Sequence, residues 1–121
     1  MNKERELDFE IAFFEGVVQN CPDFIEALIA LGDAYTRRGR YKDGLWVDMK
    51  LSRLRPADGT VHYNLACSYS LLERPEECLA ALTKAVRLGY REFRFMLADP
   101  DLAFIRKDPR FGSMFSLLKN K

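Results

Sequence analysis

The side chains able to do chemistry in this sequence are few, and their spacing decides what they can do. Cys67 is the one candidate nucleophile, but a thiol of ordinary acidity needs a base or a cation beside it. His62, the only histidine, falls at a packing position and is not placed to activate it. Cys21, Cys67 and Cys78 are an odd set without a CxxC pair, which argues against a disulfide framework and against a zinc site. There is no GxGxxG, no phosphate-binding loop and no HExxH. No enzyme activity, cofactor or metal is expected. Arg37, Arg38, Arg40 and Lys42 form a local basic cluster, which an acidic or phosphate-rich partner would fit. The net charge of +1 argues against a general nucleic-acid or membrane-surface binder, and a solvated turn is the better reading of the cluster.

The elements that position these residues read as helices. A length of 121 residues fits one domain able to bury a core. No run of about 18 apolar residues is present, so no transmembrane helix is expected. The N-terminal MNKERELDFE lacks the apolar core of a secretory signal, and a cytoplasmic protein is expected. Leu7, Ile11, Phe14, Val17, Val18 and Cys21 recur by threes and fours, which predicts a first helix from about Lys3 to Asn20 that Pro22 ends. Asp23 with Glu26 predicts a capping box for a second helix, which Gly39 closes. A third helix begins near Tyr41 and stops at Pro56. Asp58 caps a fourth. Pro75, followed by Glu76 and Glu77, opens a fifth that Gly89 stops. A short helix over Phe93 to Ala98 follows, and then two Asp-Pro starts, at Asp99-Pro100 and Asp108-Pro109.

Across these helices runs an echo at an interval of 34 residues. Leu31, Tyr35, Leu45 and Leu54 are answered by Leu65, Tyr69, Leu79 and Leu88. Gly32 is answered by Ala66, Gly44 by Cys78, and Pro22 by Pro56. A fixed period of this size is the mark of a stacked repeat array. The small residues at Gly32 and Ala66 predict close backbone approach, where a large side chain would overpack.

These residues resemble the tetratricopeptide repeat family, a helix–turn–helix unit of this period. The resemblance rests on Leu31-Gly32, Ala34-Tyr35, Gly39, Tyr41, Gly44 and Pro56 in one unit. In the next it rests on Leu65-Ala66, Tyr69, Cys78, Leu82 and Ala85. It implies an all-α fold, a right-handed superhelix of antiparallel helix pairs with about seven or eight helices in all. It also implies one domain over 1–121: an N-terminal half-repeat helix at 1–24, repeats at 25–58 and 59–92, and a helical cap at 93–121. Four residues depart from the family pattern. Asp48 stands at a usual aromatic position, Leu51 at an alanine, His62 at a tryptophan or other large apolar residue, and Tyr90 at a proline. All four read as local repacking.

By resemblance, the first helix of each pair lines a concave groove that holds a peptide. The groove residues implied are Glu26, Ile29, Ala30, Asp33, Thr36 and Arg37 in the first repeat. In the second they are Thr60, Tyr63, Asn64, Cys67, Ser70 and Leu71, with Arg94 next in phase. Some members clamp a C-terminal carboxylate. Here Asn64 fits one clamp position, but Ile29 and Asp33 stand where lysine and asparagine are needed, and Asp33 would repel the ligand. The expected function is therefore a protein-interaction module or adaptor that binds a protein or peptide segment. A small assembly or secretion chaperone is the alternative, and a polyanion binder using Arg37–Lys42 is the alternative of a different class. Phe9, Phe13 and Trp46 mark a possible second interface. Because the array starts half a repeat late, the first two would suit a homo-oligomer through the open N-terminal end.

Overall fold

The computed structural model describes residues 2–120, and its regular elements are all helical. Eight α-helices follow one another: α1 Lys3–Asn20, α2 Ile25–Arg38, α3 Tyr41–Leu54, α4 Gly59–Leu71, α5 Pro75–Arg87, α6 Phe93–Ala98, α7 Ala103–Arg106 and α8 Pro109–Lys119. A 3₁₀ turn at Pro100–Leu102 precedes α7. No strand occurs among the described residues, and none of their helices is long and apolar enough to cross a membrane.

Several helix ends follow the local chemistry expected of them, with one exception among the expected caps. Asp58 accepts from the backbone N–H groups of Thr60 and Val61, Asp99 from that of Asp101, and Asp108 from that of Arg110. Each satisfies donors that a helical first turn leaves free. Gly39 closes α2 in the left-handed region at φ 86°, where only a residue without Cβ sits at no cost. The exception is the expected Asp23–Glu26 capping box. Phe24 takes the cap position of α2 without a side-chain bond, and Asp23 instead lies 3.6 Å from the Lys50 ammonium of α3. Cys21, expected on the apolar stripe of α1, falls just past the helix end and is exposed.

Each of the first four helices packs on the next, and α8 returns to α5. The apolar stripes collect into two clusters. Ile11, Leu28, Leu31, Val47 and Leu51 make the first, from α1, α2 and α3. Leu65, Leu82, Ala85 and Val86 of α4 and α5 begin the second, which Met96, Leu102, Ile105 and Phe111 of the tail complete. Leu28 and Leu82, one in each cluster, are wholly shielded from solvent, and burying such a side chain contributes about 2 kcal/mol.

Close approach is real at Gly32, where an added Cβ would lie 3.2 Å from Val47 Cγ1. It is tighter at Gly59. A Cβ there would meet the Ala85 carbonyl oxygen at 2.9 Å and the Tyr90 nitrogen at 3.2 Å, both backbone atoms. Gly59→Ala is expected to cost about 2 kcal/mol, because backbone cannot swing aside as a side chain can. Gly16 has nothing within 4 Å of the same position and lies inside α1, so Gly16→Ala is expected to stabilise by about 0.5–1 kcal/mol. Urea melts of the two variants check the contrast; equal behaviour would contradict the backbone clash.

Candidate functional site

A cavity of about 500 Å³ lies between α2, α4 and the tail. Helix α2 supplies Ile29, Asp33 and Thr36, and α4 supplies Tyr63, Asn64, Cys67 and Leu71. Asp48 and Leu51 of α3 reach it from beneath Gly32, whose missing side chain leaves Asp48 Oδ1 only 3.6 Å from where a Cβ would stand. The tail contributes Phe95, Asp99 and Asp101.

Two buried carboxyl groups organise the walls. Asp48 is 9% exposed, and the Ser68 hydroxyl of α4 donates to its Oδ2 at 2.5 Å. Burial pushes the Asp48 carboxyl up to about 6, opposed by that hydrogen bond, which favours the charged form. Asp99 accepts from the Tyr63 hydroxyl at 2.7 Å and, weakly, from the Cys67 thiol at 3.6 Å. Its other oxygen caps the 3₁₀ turn through the Asp101 N–H at 3.0 Å. The Tyr63 ring stacks on Tyr90 with centroids 4.2 Å apart. Burial, and then the neighbouring Asp99 and Asp33 carboxylates, push Asp101 up. Burial also pushes the Cys67 thiol up, and Asp99 and Asp101 add to it. Cys67 is thus held as a thiol, the reverse of what a nucleophile needs.

His62 is buried, with Nε2 2.9 Å from the Pro56 carbonyl oxygen. That nitrogen therefore carries a proton and donates, and the ring serves packing, as its position in the sequence implied. Cys78 is buried and its thiol is pushed up to about 12 by burial. Among the described residues no group of side chains is placed to hold a metal ion.

Of the implied groove residues, Glu26, Ile29, Ala30, Asp33, Thr36, Tyr63, Asn64, Cys67 and Leu71 do line the cavity. Ser70 does not: it is wholly buried and its hydroxyl has no partner among the described residues. Ser70 lies about 100° around the helix from its neighbour Leu71 and faces the interior. Thr60 is exposed at the start of α4, away from the cavity wall. Arg37 is not a wall residue either; its guanidinium is held by Asp33 at 2.8 Å and Glu10 at 3.0 Å. Arg94 lines a separate cavity with Phe93, Phe115 and Lys119. Phe9, Phe13 and Trp46 are exposed. The walls also hold residues that the repeat did not point to: Asp48, Ser68, Phe95, Asp99 and Asp101.

The basic cluster is largely neutralised. Arg38 pairs with Asp8 at 2.9 Å and Glu4 at 3.2 Å, and Arg40 with Asp43 at 2.8 Å. Arg40 also lies over the Tyr35 ring. These contacts tie α1 to α2 and fasten the turn, so each of the three arginines already faces a carboxylate. Exposed pairs of this kind contribute little stability each, about 0–1 kcal/mol.

No family model matches the chain, and no solved structure matches it. Over 86 residues it is 34% identical to a chloroplastic protein of Arabidopsis thaliana. The match covers 69% of this chain and 26% of that protein, so the chain spans about a quarter of the length of its relative.

Proposed function

We propose that this chain is a tetratricopeptide-like binding module that holds a protein or peptide segment in the cavity between α2, α4 and the tail. In this reading the helix pairs stack antiparallel as one right-handed superhelical domain, without a chemical step, and the protein acts in the cytoplasm as an adaptor. The observation that supports it most is the composition of the walls. Amide, hydroxyl, carboxyl and apolar groups from two successive repeat helices face one opening, as a site for an extended segment requires. The ion pairs of Arg37, Arg38 and Arg40 weigh against a polyanion site, because a phosphate would have to displace carboxylates already in place. The chloroplastic address belongs to the Arabidopsis relative; the three free cysteines are consistent with any reducing compartment.

The test uses exposed wall residues. Tyr63 is unsuitable, since its hydroxyl and ring are built into the interior. Peptides selected from a random display library on the whole chain are titrated against Ile29→Ala combined with Asn64→Ala. A loss of about tenfold or more in affinity is expected, one tenfold being about 1.4 kcal/mol. Unchanged affinity in a variant with an unaltered circular dichroism melt would refute the reading.

A further inference from the structure

We propose that the segment held in this cavity carries a lysine or arginine, flanked by apolar residues, whose cationic head meets the carboxylates of the walls. The proposal rests on the groove reading above and names the chemistry of its occupant.

Charge balance within the molecule is the first argument. Acidic residues on the surface of α1 are matched by arginines from α2 and its turn: Glu4, Asp8, Glu10 and Glu15 all have a guanidinium within 4 Å. The cavity is different. Among the described residues no lysine or arginine lines it. Glu26, Asp48, Asp99 and Asp101 line it and form no ion pair among the described residues; Asp33 alone is matched, by Arg37. An anionic segment would be repelled by these walls, and a neutral one would leave them unanswered.

Asp48 alone calls for a cation, whatever the number of acids around it. Asp48 is more than nine-tenths buried, yet its Oδ1 receives no hydrogen bond among the described residues. A carboxylate placed so deep, with one hydroxyl donor and no cation, is held at a cost in stability. A guanidinium or ammonium entering from the opening supplies both the missing donor and the missing charge, and charge-assisted bonds made in such a shielded place are the strong ones. The rim suits the rest of such a segment. Ile29 is 49% exposed and Phe95 54% exposed, and both line the cavity. They offer apolar surface to the aliphatic stem of a basic side chain and to its apolar neighbours.

The experiment is a selection from a random peptide library on the whole chain at low salt, followed by titration of the winners. Enrichment of lysine or arginine at one position is expected. Replacing that residue by norleucine is expected to weaken binding about tenfold or more, the scale of a shielded charge-assisted bond. Asp48→Asn and Asp101→Asn are each expected to weaken the basic peptide severalfold, and to weaken it more than the norleucine peptide. Asp101 is only partly buried, so its variant guards against a folding effect at Asp48. Winners that depend on Ile29 and Asn64 but show no basic preference would overturn this proposal and leave the groove reading standing. Winners that ignore Ile29 and Asn64 would overturn both.

Discussion

Asp48→Asn is expected to make the protein more stable, by about 3 kcal/mol at pH 7 and by almost nothing at pH 4. The cause is the folded-state acidity of this carboxyl, which burial raises from 3.8 to about 6. Such a displacement is worth about 1.4 kcal/mol per pH unit. The sign follows from proton counting. Between pH 4 and 6 the folded chain holds a proton on Asp48 that the unfolded chain has released. Stability from this group is therefore fully present below pH 4 and is lost as pH rises through about 6. Asparagine keeps an oxygen to accept from the Ser68 hydroxyl and has no charge to bury, so its contribution is flat across the window. Urea melts of both proteins at the two pH values check this, since other titrating groups cancel in the difference. An asparagine variant less stable than the parent at pH 7 would mean that the Asp48 charge is already satisfied, and would remove one support of the basic-segment proposal.

The second large effect is a loss. Asp99→Ala is expected to cost about 3 kcal/mol. It strips the acceptor from the Tyr63 hydroxyl, bonded at 2.7 Å beneath a ring that is 3% exposed, and an orphaned buried hydroxyl costs about 1–3 kcal/mol. It also uncaps the turn at Pro100–Leu102 by freeing the Asp101 N–H, for about 1 kcal/mol more. Asp99→Asn retains an acceptor for the tyrosine and is expected to cost about half as much. A double-mutant cycle with Tyr63→Phe isolates the first part, with a coupling of about 1–2 kcal/mol expected. Additive effects of the two substitutions would show that the bond does not carry the loss.

Much of the helical framework was legible because its signals are local. A proline after Asp99 or Asp108, a glycine at 39, and an aspartate at 58 act on their own backbone within one turn, and each does so in the structure. The capping box at Asp23 failed because α2 begins one residue later, with Phe24 at the cap position and Asp23 outside it beside Lys50. The cavity divides the same way. Most of its α2 and α4 wall residues could be named from the repeat, while Arg37, Thr60 and Ser70 fall outside the walls. Phe95, Asp99 and Asp101 belong to a tail without a period, and only its folding back onto α4 brings them in. Asp48 was visible as an acid at an aromatic position. Its meaning required knowing that Ser68, 20 residues on, would face it.

The two apolar clusters are not closed along the chain. Leu45 of α3 belongs to the second, and Val61 of α4 to the first. Each half therefore lends one side chain to the other's interior across the α3–α4 contact. Neither half can melt without opening a void in its neighbour, which couples the two halves in unfolding. The cavity draws its walls from both halves, so in the proposed reading an occupant would clasp the same joint that Leu45 and Val61 stitch, and would stabilise it.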